Sequence, residues 1–251
     1  HWGNRNPEDS LKEHILQLEN SPLFNENVAA IIIEPVLGEG GYVPAPTQYL
    51  KKLEEICKKN NILMIFDEIQ SGIGRTGKWF DIQHHDLDFD ILTSAKGIGS
   101  GMPLAACIAK KELMDQWTVG AHGGTYGANP VTCAAGLATL NVVEKQLKHI
   151  EPRSKKAFDL LKSKLDSHKF VGDIRGIGYM FGIEFVTDKE TKIPNKNIIS
   201  EILNKCLEKN LIIMSCGVNE NVIRIMPPLT CSEKELLNGI SLFCEVVNDI
   251  H

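Results

Sequence analysis

Apolar positions along this chain recur with two different periods, and the changes of period outline its elements. Leu11, Ile15 and Leu18 fall at helical spacing behind a Ser10/Glu13 pair with the form of a capping box, which predicts a helix starting near residue 10. AAIIIEPV (29–36) is a short β-branched run ending at Pro35 and reads as a buried strand, followed by a glycine-rich loop over 38–41. Leu50, Leu53, Ile56 and Cys57 mark one face of a helix over 47–60, with Glu54/Lys58 and Glu55/Lys59 supporting its wet face. Runs at 61–69 and 89–95 predict two more buried strands. LAACIA (104–109) predicts a fourth, reached too soon for a helical crossover and so expected antiparallel to its neighbour. Asn129-Pro130 opens a helix over 129–149.

Past residue 145 the pattern shifts. A charged helix over 151–167 precedes a glycine-punctuated strand pair, GDIRGIGYMFGIEF (172–185). A helix (197–209), strands at 211–215 and 221–226, and a last helix capped by Ser232 with Glu235 complete the chain. Strands that alternate with helices and are apolar on both faces imply an α/β fold with a mostly parallel sheet over residues 1–145, followed by a smaller C-terminal α+β domain over 146–251. Polar residues at the carboxyl ends of the parallel strands are then candidates for a site by position alone.

Composition narrows the class. The chain has 251 residues, 43% hydrophobic and 24% charged, as in an ordinary globular protein. A net charge of −5 without a basic tract recommends neither nucleic acid nor an anionic membrane as partner. No apolar run is long enough to span a bilayer. Cys57, Cys107, Cys133, Cys206, Cys216, Cys231 and Cys244 are odd in number and never spaced C-x-x-C, which argues against a disulfide framework and a zinc site and for a reducing, cytoplasmic setting. The opening His1-Trp2-Gly3, without methionine, is expected of a piece of a longer protein.

Three stretches compete for chemistry. Gly72 to Lys78 matches most of a phosphate-cradling P-loop, but Trp79 stands where a magnesium-binding hydroxyl is required and the strand acid precedes the loop, so a glycine-rich turn is the better reading. His84-His85-Asp86 places three polar groups in a row; adjacent side chains rarely converge on one ion, and a surface loop is expected, with no metal site. His122, beside a Gly-Gly-Thr turn, is expected to be structural.

TSAKGIGSGMP (93–103) is different: Lys96 sits among small residues after one strand, while Asp67, Glu68 and Gln70 close the preceding one. Standing alone, those acids would be read as a helix cap or an ion pair with Arg75. A lysine and a carboxylate facing one crevice are what pyridoxal phosphate requires, the amine to form a Schiff base and the acid to keep the ring nitrogen protonated.

With these residues in place, the chain resembles the class III aminotransferases of the ornithine and 4-aminobutyrate type, pyridoxal-phosphate enzymes of fold type I. IIIEPVLGEGG (31–41), IFDEIQSGIGRTG (65–77), SAKGIGSGMPL (94–104), GGTYGANP (123–130), GDIRGIGYMFGIE (172–184), and LIIMSCG with VIRIMPPLT (211–230) carry the resemblance in the family's order. It implies that Lys96 holds the cofactor and acts as general base, Asp67 pairs with the ring nitrogen, Gln70 bonds the phenolic oxygen, and Ile69 packs on the ring. Thr125 would reach the phosphate of a neighbouring subunit, so a homodimer or larger homo-oligomer is implied. Arg224 would bind a substrate α-carboxylate, with Glu34 and Glu39 near the substrate and Glu39 pairing with Arg224 when the substrate lacks one. The Glu39 loop and the two strands around Arg224 point to transfer from 4-aminobutyrate to 2-oxoglutarate. Acetylornithine and ornithine aminotransferases share the cofactor motifs, and the aminomutase branch shares the lysine motif. Family members also carry an N-terminal part absent here, with a phosphate-cradling turn, an aromatic that stacks on the ring and, in the 4-aminobutyrate branch, a second arginine; the chain is thus expected to be a C-terminal portion. Ser100 and Ala128 stand where glycine is common. A non-catalytic relative kept for binding or assembly is disfavoured by Lys96, Asp67, Gln70 and Thr125 standing together. A dinucleotide oxidoreductase lacks its glycine fingerprint.

Overall fold

The computed structural model describes residues 7–250. Its elements in chain order are α1 (Pro7–Glu19), β1 (Ala30–Ile33), β2 (Val36–Leu37), β3 (Val43–Pro44), α2 (Thr47–Lys59), β4 (Leu63–Asp67), β5 (Ile91–Ser94), β6 (Ala106–Ala109), α3 (Lys111–Met114), α4 (Pro130–Leu165), β7 (Val171–Ile177), β8 (Met180–Phe185), α5 (Asn197–Glu208), β9 (Met214–Cys216), β10 (Val222–Ile225) and α6 (Glu233–Asn248).

The first sheet has the order β1-β4-β5-β6. β1 and β4 run parallel with Ile33 opposite Phe66, β4 and β5 run parallel with Asp67 opposite Thr93, and β6 returns antiparallel to β5, as its short connection requires. Alternate residues of β4 and β5 point into a core shared with α2, where Leu50, Leu53, Met64, Phe66 and Leu92 are buried. The expectation of strands buried on both faces holds less well at the margins: Ile32 of β1 is 62% exposed and Ile108 of β6 39%.

The second sheet, β7-β8-β10-β9, is antiparallel throughout. Every residue of β8 is buried. Leu161, Leu165, Phe181, Ile183, Ile202, Ile223 and Phe243 join α4, α5 and α6 to this sheet in a separate core.

Three local readings change. α1 begins by Pro7, so Ser10 lies inside the helix and is buried rather than capping it. AAIIIEPV is two strands, because the chain breaks at Glu34-Pro35 and β2 pairs instead with β3. The two helices expected over 129–149 and 151–167 are one helix of 36 residues with Pro152 inside it. Proline removes an intrahelical hydrogen bond and normally marks a boundary. Here the buried stripe Val143, Ile150, Ala157, Leu161 and Leu165 continues in helical phase through it, and packing outweighs the local cost. Asn129 caps this helix by accepting from Val131 N at 2.9 Å, and Ser232 with Glu235 forms the expected box on α6.

Leu161, fully buried, and Leu207, 60% exposed, should therefore respond differently to truncation. Leu161→Ala is expected to cost about 2–5 kcal/mol and Leu207→Ala under about 0.5 kcal/mol, as read by urea unfolding.

Candidate functional site

Parallel pairing puts the carboxyl ends of β1, β4 and β5 on one edge of the first sheet, so Glu34, Asp67 and Lys96 emerge there together. Asp67 Oδ1 accepts from Ile69 N at 3.0 Å and from Thr93 Oγ1 at 3.3 Å, while Oδ2 accepts no hydrogen bond among the described residues. Lys96 sits at φ +41° in a single 3₁₀ turn, a left-handed conformation uncommon outside glycine and often found at functional sites. Among the described residues its amine makes no hydrogen bond or ion pair, and it contributes positive potential at Glu39.

The small residues after Lys96 have geometric reasons. A Cβ on Gly99 would lie 2.2 Å from Met102 O, so that turn excludes any side chain. Ser100 and Ala128, which replace common glycines, adopt φ +47° and +53°, so both keep the glycine-like backbone at a conformational cost.

A cavity of about 570 Å³ opens beside Lys96, lined by Glu39, Tyr42, Gln70, Arg224 and Met226 among others. Arg224 arrives from β10 of the second sheet, so the cavity lies between the two sheets. The Arg224 guanidinium donates to Glu39 Oε1, and this bond holds the Glu39 carboxyl below its ordinary range. Glu34 accepts from Gly38 N at 2.8 Å, and Gln70 Nε2 lies 3.5 Å from Glu39 Oε1. A Cβ on Gly38 would come within 2.5 Å of Gln70 Oε1, so the bare glycine lets Gln70 sit beside both glutamates. The second sheet holds this loop, through Gly217 N to Glu39 O at 2.8 Å and Arg175 Nε to Gly41 O at 3.0 Å. Burial of Tyr42 beneath it pushes its phenol up to about 12.

Glu39, Gln70, Lys96 and Arg224 thus line one cavity, while Glu34 and Asp67 stand at the strand ends beside it without lining it. Ile69 is half-buried beside Asp67. Thr125 is not among them: it stands in an exposed stretch and lines neither cavity at Lys96. His122 is exposed and stacks against Trp117, with ring centroids 5.6 Å apart.

The 84–86 reading is corrected. His85 is buried, its Nε2 3.1 Å from Asp81 Oδ2 and its Nδ1 2.7 Å from Thr47 Oγ1, so it ties the 3₁₀ turn Asp81–His84 to the start of α2. Among the described residues no cluster of three or more His, Cys, Asp or Glu could hold a metal. The Gly72–Lys78 stretch is a turn with no helix starting behind it, so it lacks the amide-rich helix end that a phosphate loop uses.

Two residues near the site had no assigned role in the sequence reading. Glu68 does not pair with Arg75; it is fully buried and accepts from Ser71 Oγ and the backbone of Asp81 and Ile82. Burial pushes its carboxyl up to about 7 against the pull of those donors. Arg75 instead donates from Nη1 to Pro227 O at 2.5 Å, which joins the loop after β4 to the segment after Arg224. A buried carboxylate next to a strand-end aspartate was the available signal for Glu68, since it must find donors nearby; the bond from Arg75 to Pro227 had none.

The comparisons with known proteins bear on this arrangement. The family model Aminotransferase class-III matches residues 3–247. The chain is 38% identical over 227 residues to the acetylornithine aminotransferase of Clostridium acetobutylicum, covering 89% of this chain and 56% of that protein. It is 40% identical over 228 residues to the 5-aminovalerate aminotransferase DavT of Pseudomonas putida (89% and 53% covered), and 35% identical over 244 residues to the 4-aminobutyrate aminotransferase GabT of Escherichia coli (96% and 57% covered). Among solved structures, a Bacillus anthracis aminotransferase superposes with a TM-score of 0.84 at 34% identity, covering 98% of this chain and 58% of that one. An ornithine aminotransferase from Plasmodium yoelii gives 0.83 at 31%, covering 97% and 61%. The chain belongs to the class III aminotransferase family, and its mixed α/β architecture is that of fold type I. It spans somewhat more than half the length of the relatives it matches.

Class III aminotransferases use pyridoxal phosphate, and the residues present fit such a group. Among the described residues Asp67 Oδ2 and the Lys96 amine have no partner, and Gln70 Oε1 is buried without one.

Substitutions in the lysine turn should move stability in opposite directions. Gly99→Ala is expected to destabilise by roughly 1–3 kcal/mol through its clash with Met102 O, and Ser100→Gly to stabilise by up to about 1 kcal/mol by relieving a left-handed serine. Chemical denaturation measures both.

Proposed function

We propose that the chain carries the catalytic lysine and the substrate-carboxylate site of an aminotransferase that moves an amino group from an ω-amino acid, such as 4-aminobutyrate, to 2-oxoglutarate. The observation that carries this reading is the gathering of Lys96, Gln70 and the Glu39–Arg224 pair around one cavity, with Asp67 at the end of the parallel strand beside the one that leads to Lys96.

Pyridoxal phosphate, when bound, supplies an electron sink that stabilises negative charge on the carbon losing its proton. The Lys96 amine would hold the cofactor and serve as the general base for the proton leaving the amine-bearing carbon. Asp67, its Oδ1 kept in place by Ile69 N and Thr93 Oγ1, would pair with the ring nitrogen. Gln70 would serve the ring oxygen and Ile69 the ring face. Arg224 takes the α-carboxylate of glutamate or 2-oxoglutarate through its planar guanidinium. With a donor that has no α-carboxylate, Glu39 stays paired with Arg224, and the charge is not left alone. Glu34 orders the loop that presents Glu39.

The segment over 111–131, largely exposed in the single chain, supports a homodimer in which Thr125 reaches the partner's cofactor phosphate. Residues 1–145 act in this reading as the cofactor domain and 146–251 as the smaller one, in a cytoplasmic enzyme. Among the described residues no helix is long and apolar enough to cross a membrane.

A second reading, with acetylornithine or ornithine as donor, is favoured by the identity to the Clostridium enzyme. A donor panel separates the two. Turnover of 4-aminobutyrate or 5-aminovalerate at least tenfold above acetylornithine and ornithine supports the first, and the reverse order the second.

Incubating the chain with pyridoxal phosphate, reducing with borohydride and mapping peptides by mass spectrometry should place one label, on Lys96. Labels spread over surface lysines, with Lys96 unmodified, would overturn the assignment.

A further inference from the structure

Asp67 and Gln70 can serve a flat ring only if the backbone between them is held still, and no helix or strand holds it there: β4 ends at Asp67 and a turn follows. The constraint comes from Glu68, whose side chain is fully buried. Its Oε2 accepts from Ser71 Oγ at 2.9 Å and from Asp81 N at 2.7 Å, and its Oε1 from Ile82 N at 2.9 Å. Its backbone is fixed as well, with N donating to Thr93 O at 3.0 Å and O accepting from Gly72 N at 3.0 Å. Glu68 therefore ties the turn to β5 above and to the 3₁₀ turn at Asp81–His84 below. That lower anchor is itself fastened by Asp81 and His85 to Thr47 at the start of α2.

A buried carboxylate is an expensive way to hold a turn, as its raised pKa attests, and apolar packing would stabilise the fold at least as well. What apolar packing cannot do is fix direction: three donors converging on two oxygens set the orientation of the chain on either side. We infer that Glu68 is a positioning residue that orients Asp67 and Gln70 for the cofactor from the protein interior. The inference rests on the cofactor reading given above.

Glu68→Gln keeps the shape but turns one acceptor into a donor facing Ile82 N–H or the Ser71 and Asp81 donors. Ser71→Ala removes a single contact and leaves the charge satisfied by two amides. Leu161→Ala, in the other core, serves as a variant of comparable lost stability with no link to the turn. Two measurements decide: amide hydrogen exchange over residues 67–72 in the cofactor-free chain, and the dissociation constant for pyridoxal phosphate from its visible absorption. For Glu68→Gln we expect exchange at least tenfold faster and cofactor binding at least tenfold weaker. Ser71→Ala should move both in the same direction by two- to threefold, and Leu161→Ala should change neither by more than twofold. Unaltered exchange in Glu68→Gln, or an affinity loss no greater than that of Leu161→Ala, overturns the positioning role while leaving the cofactor reading intact. A wild-type chain that takes up no pyridoxal phosphate overturns the cofactor reading, and this inference with it.

Discussion

The parallel pairing of β1, β4 and β5 is the constraint on which the site depends. Had any of these strands run the other way, Glu34, Asp67 or Lys96 would have emerged at the opposite edge, some five residues of strand away. Each strand is short, four or five residues, and backbone hydrogen bonds fix their register. A one-residue slip of β5 against β4 would separate Thr93 from Asp67 and invert the face on which the polar group stands. Chemistry at the edge is thus specified by hydrogen bonding in the middle of the sheet.

The second half of the site depends on the first by a longer route. Arg224 belongs to an antiparallel sheet with its own core, and it meets Glu39 only because loop 38–42 is held between the sheets. Gly217, Arg175 and the buried Tyr42 hold that loop from one side, and Glu34 and Gln70 from the other. Arg75 adds a direct tie from the loop after β4 to Pro227. A guanidinium donating to a carbonyl costs less than an orphaned charge and contributes orientation more than energy.

Much of this was legible in the sequence, unevenly and for physical reasons. Strands whose apolar runs were continuous appeared where expected, and the antiparallel return at 104–109 followed from the shortness of its connection. Lys96, Asp67, Gln70, Glu39 and Arg224 stand out in the sequence because they lie in strongly patterned motifs. Local signals misled wherever tertiary packing could overrule them, as at Pro152, where a buried stripe carries the helix through a breaker, and at Ser10, where a capping pattern lies inside a helix. His85 looked like a surface residue because sequence alone does not reveal the Asp81 and Thr47 that satisfy it. Thr125 lies in an exposed stretch and lines neither cavity at Lys96, so the motif that singles it out has no counterpart in the packing of one chain.

The continuous helix α4 has a mechanical consequence. At a rise of about 1.5 Å per residue its 36 residues form a rod of roughly 54 Å, reaching from the neighbourhood of the lysine turn to the far core. The two sheets are therefore not beads on a flexible thread: to tilt one against the other, and so widen or narrow the cavity between them, the rod itself must bend. Its weakest point is fixed by chemistry, since Pro152 leaves the carbonyl of Lys148 without its helical partner. The compliance of the cavity is set there, one residue before Arg153, whose guanidinium donates to Cys231 O on the cavity wall at 2.9 Å.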